Sequence, residues 1–522
     1  MPEALVVVID ARGEVHSGTI YHGRGGQLQV LGTYDMLRSL GALYVYTIQL
    51  LGYTLGDEYK VMGLAPYGNP DTYRDVFDSL FSLGEEGEYF IQPDTMNVNP
   101  VAAAFFRQGF RPRRKGEKFS QRHMDVAAGL QQLVERAVLH ILTHWARRTG
   151  LENLCFVGGV AHNSTLNGKI LRSALFRQVF IHPASHDAGA AEGAALASAR
   201  QLGKPVPAQP RMRSAAWGPS LGTLTDIERT LRAWGQVVAY EKAADPVASA
   251  ADLLAGGAVL GWAHGRSEFG PRALGNRSIV ADARPGENKT RINAMVKKRE
   301  AYRPFAPVVT PEAADTYFDL PATTANYDFM SHVVPVRAER RQELGAVTHI
   351  DGSARLQIVD PEINERFYRL VARFGELTGT PVLLNTSFNN NAEPIVQTVE
   401  DVLTCFLTTD LDAVFIEDFV VTRKPALDAA LDDFVPRFRP VTRLAKRVGA
   451  DASGEPGSRH EIYLEYGESA PRAEVSPELF AVLAGVDGKS TLRSLAGGTL
   501  TDSLRKELLQ LWQERFFGLR PA

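Results

Sequence analysis

The sequence predicts a multidomain α/β protein, and three observations carry that prediction. Its 522 residues exceed what one hydrophobic core holds, since domains run to about 100–200 residues. Apolar residues make up 44% of the chain and charged residues 22%, the balance of an ordinary globular protein. From Cys155 to Arg200, short apolar runs of strand type alternate with helical patterns, which is α/β organisation.

The elements follow in order. Residues 4–33 alternate apolar and polar around glycine-containing turns, which predicts a meander of three strands. Residues 39–53 (SLGALYVYTIQLLGY) read as an apolar helix. Residues 123–148 read as a long amphipathic helix whose stripe is Val126, Leu130, Leu133, Ala137, Ile141 and Trp145. A strand (NLCFVGGV), a helix (NSTLNGKILRSA), a second strand (QVFIHPA) and an alanine-rich helix (GAAEGAALASAR) complete a first unit over 1–200. Residues 201–220, rich in proline and small residues, are expected to form a linker. A second α/β unit is expected over 221–425, a second linker over 426–460 and a small module over 461–522.

Composition excludes several classes. Only Cys155 and Cys405 occur, both in apolar runs, so there is no disulfide framework and no CxxC metal signature. No run of about 18 apolar residues exists and the N-terminus lacks a signal-peptide pattern, so a cytoplasmic protein without a membrane span is expected. The net charge of −3 argues against a dedicated nucleic-acid binder.

Two regions carry chemistry. In the first unit, Gly158 and Gly159 follow a buried strand, and Asp187 and Gly189 stand between the next strand and a helix. Glycine lets backbone amides approach a phosphate, and a helix N-terminus favours its charge. Asp187 could hold a metal or order its loop. With Asp10 at the end of the first strand, two glycine loops and two α/β halves, the pattern suggests an actin-like ATPase fold. Gly158, Gly159, Asn163 and Gly189 are the expected nucleotide contacts. In the second unit, residues 261–309 hold Arg266, Arg272, Arg277, Arg284, Lys289, Arg291, Lys297, Lys298, Arg299 and Arg303, interleaved with Phe269, Leu274 and Phe305. Cations ordered by apolar neighbours repel one another unless a polyanion neutralises them, and arginine grips phosphate bidentately. A triphosphate with a second phosphorylated substrate, or RNA, would both fit. Arg355 opens an apolar strand, and Asn385, Thr386 and Ser387 end another; these short polar groups are placed to orient a phosphate or another small polar group.

Seven strings extend this reading: KVMGLAPYG, GGVAHNSTLN, HDAGAAEGAAL, EFGPRALGNRS, INAMVKKREAYRPFAPVV, HIDGSARLQIV and LNTSFNNNAEPIV. Together, over residues 4–425, the chain resembles the NodU/CmcH family of O-carbamoyltransferases, of the tobramycin carbamoyltransferase type. The resemblance implies an actin-like half similar to the tRNA threonylcarbamoyl-transferring proteins, and a YrdC-like half that makes carbamoyl-adenylate from carbamoyl phosphate and ATP with Mg2+. It implies that Arg272, Lys297, Arg303, Arg355 and Ser387 line the adenylate site, and that Asp10 and Asp187 help hold a metal, iron in this family. It implies a small-molecule hydroxyl acceptor. Family members carry about a hundred residues before the equivalent of Val8, including an HHxxHA helix that completes the metal site. Those histidines have no counterpart here. The resemblance therefore leaves three alternatives: a truncated chain, a partner chain supplying the missing lobe, or an impaired transfer half. A tRNA-modifying enzyme of the threonylcarbamoyl type and a non-catalytic nucleotide- or partner-binding scaffold are the rival readings.

The tail loosely resembles small PqqD-like winged-helix modules, which implies a possible docking role. GVDGKST within it lacks the first P-loop glycine, with Leu483 in its place, and is expected to form an Asp-Gly turn before a helix.

Overall fold

The computed structural model describes residues 1–92, 99–204, 212–297, 299–425, 427–450, 456–465 and 471–522. The N-terminal meander forms as its alternation requires. Strands β1 (Glu3–Ile9), β2 (His16–Arg24) and β3 (Gln27–Asp35) pair antiparallel in sequence. On the other side of β1 lie β4 (Asn153–Val157) and β5 (Gln178–Ile181), both parallel. Helices α1 (Leu40–Leu50) and α2 (Glu58–Leu64) precede the 29-residue helix α3 (Gln121–Thr149). All six residues of the stripe read from the sequence are buried on α3, which ends at Gly150 in the left-handed conformation. The short helix α4 (Ser164–Arg172) follows β4, and α5 (Ala190–Gln201) follows β5.

A second, nine-stranded sheet organises the rest. Its order is His332–Pro335, Ser353–Ile358, Ala306–Val309, Val382–Ser387, Arg277–Asp282, Leu260–Ala263, Ala413–Ile416, Phe419–Arg423 and Val238–Lys242. The central strands Leu260–Ala263, Arg277–Asp282 and Ala306–Val309 are buried throughout, and Arg277, Ser278 and Asp282 are polar residues taken into that core. Among the described residues no helix is long and apolar enough to cross a membrane.

The two halves are stitched together. A two-residue strand, Thr324–Ala325, leaves the second half and pairs parallel with β5 at the edge of the first sheet. Asn326 closes the junction with its amide, donating to Ile181 O at 2.7 Å and accepting from Ile181 N at 3.1 Å. Asn167 of α4 donates to Ser331 O at 2.8 Å. Tyr53 and Tyr302 share a 2.7 Å hydroxyl contact, and Tyr53 also donates to Glu300 at 2.9 Å.

The C-terminal region departs from the expectation of a linker over 426–460. That stretch holds strand Phe434–Phe438, which pairs with the last strand, Phe517–Pro521, and strand Thr442–Ala450 of a three-stranded sheet. Its apolar residues explain the difference: Leu431 and Phe434 share one core with Trp234 and Phe406 of the second half and with Leu508 and Trp512 of the tail. The tail thus packs one face on its own chain. Part of the linker expected at 201–220, residues 205–211, lies outside the described residues. The Asp-Gly turn is present: Asp487 Oδ1 accepts from the amides of Lys489 and Ser490 ahead of helix Leu492–Leu495.

One ion pair anchors the tail. Arg515, buried, donates to Glu393 at 2.7 and 2.8 Å and to the Thr408 hydroxyl at 2.9 Å. Arg515→Ala leaves the largely covered Glu393 carboxylate without its cation. It is expected to cost about 3–5 kcal/mol, read as a lower urea midpoint followed by tryptophan fluorescence.

Candidate active site

The basic segment folds as a crowded set of guanidinium groups rather than a solvated face. Arg272 sits on the loop before strand Arg277–Asp282, Arg299 and Arg303 on the loop before strand Ala306–Val309, and Arg355 within strand Ser353–Ile358. Burial, followed by repulsion from Arg303, presses Arg272 down to about 10, and the same two causes press Arg299 to about 9. Arg355 is also held well below its ordinary value, by burial first and then by Arg272, Arg299 and Arg303. Arginine does not give up its proton in proteins, so these pressures measure unrelieved positive charge. Few carboxylates offset it: Glu300 pairs with Arg303 at 3.7 Å. Arg303 lies over the Tyr59 ring at 4.8 Å, and Arg299 lies over Phe305 at 4.7 Å while donating to Asn293 at 2.7 Å. Arg355 Nε is buried without a partner among the described residues.

A small cavity opens beside Arg355, and both halves wall it. The first half contributes Met62, Tyr67, Ser164 and Thr165; the second contributes Lys289, Tyr302, His349 and Arg355. Ser164 and Thr165 are the first residues of α4, where unpaired amides and the helix dipole favour an anion.

The Arg272 loop is held from several sides. Glu268 Oε1 accepts from the amides of Leu274, Asn276 and Arg277 at 2.7, 2.8 and 3.2 Å. Gln357 donates to Leu274 O at 2.9 Å. Gly270, at φ +118°, brings its backbone against Pro183 of the first half, whose carbonyl oxygen lies 2.6 Å from an ideal Cβ. Asn385, expected from the sequence to meet the ligand, is fully buried, and its Oδ1 has no partner among the described residues. Its Nδ2 donates to Gln357 at 2.8 Å and to Ala273 O at 3.3 Å, so it braces the loop. Thr386 and Ser387 follow on the same strand, and Ser387 donates to Asn389 at 2.8 Å. The Lys297 side chain lies outside the described residues.

The glycine-rich loops of the first half gather around Asp10. Asp10 Oδ1 accepts from Ala11 N and Oδ2 from Gly159 N, both at 2.6 Å. Gly158 stands at φ +91°, with Ile9 O 2.1 Å from an ideal Cβ, so it is required where β1 and β4 converge. Asn163 caps α4 through Leu166 N at 3.0 Å and exchanges hydrogen bonds with Gln131 at 2.8 and 3.1 Å. Gly189 lies against Ala184 O, and Asp187 is exposed at the start of a short turn. Asp10 and Asp187, expected to help hold a metal, have no third ligand grouped with them among the described residues. Both Asp10 oxygens already serve backbone amides. The residues present do not fit an iron centre.

Sequence reasoning missed several neighbours. His162 Nε2 meets His186 Nδ1 at 2.8 Å, and burial, with Arg272 adding to it, holds His162 down to about 3. In the sequence Arg299 is one cation among many in its run, Glu268 is one of the few carboxylates between them, and Gln357 and His349 are single letters of a longer string. Only the partner of a side chain tells a brace from a ligand contact, and the partners here lie about 10 to 110 residues away in the chain.

Fold and site define a two-part α/β protein with an arginine-rich site where its halves meet. The carbamoyltransferase N-terminus family model matches residues 1–196 and the carbamoyltransferase C-terminus model matches residues 251–423. Nodulation protein NolO of Bradyrhizobium diazoefficiens is 45% identical over 530 residues, covering 99% of this chain and 94% of that one. Nodulation protein NolNO of Sinorhizobium fredii is 44% identical over 525 residues, covering 99% and 76%. The 3'-hydroxymethylcephem-O-carbamoyltransferase of Streptomyces clavuligerus is 30% identical over 391 residues, covering 72% and 68%. The chain belongs to the carbamoyltransferase family.

Proposed function

We propose that this enzyme activates the carbamoyl group of carbamoyl phosphate with ATP, forms carbamoyl-adenylate, and passes the carbamoyl group to a hydroxyl of a small molecule. In this reading the second half is a YrdC-like adenylate-forming unit and the first is part of an actin-like transfer unit. The observation that carries it is the crowd of desolvated arginines beside a cavity walled by both halves. Two phosphorylated substrates supply the negative charge that such a crowd lacks.

The chemistry balances as follows. Water cleaves carbamoyl phosphate to carbamate and phosphate. A carbamate oxygen attacks the α-phosphorus of ATP, and pyrophosphate departs. The acceptor oxygen then attacks the carbamoyl carbon, AMP leaves, and the hydroxyl proton passes to solvent. Arg272, Arg299, Arg303 and Arg355 hold the phosphoryl oxygens and offset the charge that builds as pyrophosphate separates. Mg2+ travels with ATP as part of the substrate. The similar cephem enzyme is named for a hydroxymethyl acceptor, which supports a hydroxyl as the nucleophile here.

Purified chain is expected to release pyrophosphate from ATP only when carbamoyl phosphate is present, without any acceptor. Release that ignores carbamoyl phosphate, or its absence with ATP still bound, would sink the adenylate reading.

A further inference from the structure

The charged walls of the shared cavity are mostly hydrogen-bond donors, yet one ring among them is locked as an acceptor. His349 lines the cavity beside Arg355, Lys289 and Asp351. Its Nδ1 lies 3.1 Å from Ser353 Oγ. That hydroxyl carries a single hydrogen, which points to Asp351 Oδ1 at 2.6 Å. The same carboxylate oxygen accepts from Ser353 N at 3.0 Å, so the turn fixes it in place. Ser353 Oγ has no second hydrogen to offer and must accept from the ring. Nδ1 therefore carries the ring hydrogen, and Nε2 is a bare lone pair. Nε2 is shut off from solvent and has no partner among the described residues. Burial holds the ring well below the ordinary imidazole range, with Arg355 and Lys289 adding to it against the pull of Asp351, so it stays neutral.

An acceptor of this kind has no use for phosphate oxygens, which need donors. It suits an N–H. Carbamoyl phosphate differs from acetyl phosphate by an amino group in place of a methyl group, at nearly the same size. We propose that His349 Nε2 accepts a hydrogen bond from the amino group of carbamoyl phosphate and thereby selects the carbamoyl group over other acyl phosphates. Arg355, Lys289 and the first amides of α4 would then face the phosphate end. An acyl phosphate without the donor leaves the buried acceptor unpaired, and the discrimination comes from that loss. The inference rests on the reading of carbamoyl phosphate as substrate.

Calorimetric titration of the full chain with carbamoyl phosphate, acetyl phosphate and inorganic phosphate tests it. The parent enzyme is expected to bind carbamoyl phosphate about tenfold or more tightly than acetyl phosphate, the range of one hydrogen bond to a buried group. His349→Asn keeps a donor toward Ser353 but has no atom at the Nε2 position, and should bring the two affinities within about twofold of each other. His349→Gln returns an acceptor oxygen and should restore part of the preference. Inorganic phosphate should bind all three proteins alike. An undiminished preference in His349→Asn, or no preference in the parent, overturns the proposal. Loss of inorganic phosphate binding together with the preference assigns His349 a structural role and also overturns it. Pyrophosphate release measured on the same samples keeps the two readings apart: a carbamoyl preference without release supports His349 as the selector while removing adenylate formation.

Discussion

Arg272→Ala is expected to lower carbamoyl-phosphate-dependent pyrophosphate release by about 10²–10³-fold while leaving the anion-free protein at least as stable as the parent. The two halves of that expectation share one cause. Arg272 is desolvated and repelled by Arg303, and Arg272, Arg299 and Arg303 in turn all repel Arg355. Removing one member relieves the others, so the folded state loses little. The substrate complex loses a fixed cation at the place where charge builds. Thermal unfolding with and without pyrophosphate separates these effects. The parent should gain more from the anion than the variant, because only binding to the native state raises its melting temperature. Full release by Arg272→Ala would remove the arginine crowd from the chemistry.

Gly270→Ala should be nearly as damaging without touching substrate. At φ +118° an alanine is strained whatever the space, and its Cβ would stand 2.6 Å from Pro183 O. The Arg272 loop must then withdraw from the first half. A displacement of about 1 Å costs on the order of 10²-fold in a reaction that depends on positioning. The expected signature is a lower maximal rate of pyrophosphate release together with a lower melting temperature, since Glu268, Gln357 and Asn385 all brace the same loop. A variant with parental rate and stability would show that contact between the halves at Pro183 does not set the loop.

Much of the fold was legible because its signals are local. The meander, the stripe on α3 and the strand–helix alternation from Cys155 to Arg200 all arise from periodicity within one element. The tail was misjudged for the opposite reason. Residues 434–450 look like a spacer because two prolines and four arginines interrupt their apolar positions; Phe434–Phe438 becomes a strand when Phe517–Pro521 return to pair with it, and Thr442–Ala450 pairs with Pro456–Leu464. The site divided along the same line. The arginines announced themselves by composition. The bracing role of Asn385 did not, because it depends on Gln357 and Ala273 arriving from other strands and loops. The glycines after β4 were read as a phosphate cradle, but Gly158 is required by the approach of Ile9, and the Gly159 amide is taken by Asp10.

The strand Thr324–Ala325 gives the first sheet an edge that its own half does not encode. A polypeptide that stops before residue 323 has nothing of its own to lay along Gln178–Ile181, and the exposed hydrogen-bonding groups of that strand would invite pairing between copies. The boundary between the halves is therefore a seam in the sequence and not in the molecule. Exchange of one half for that of a distant relative would have to carry residues 323–331 with the first half, although they lie more than a hundred residues beyond its last helix.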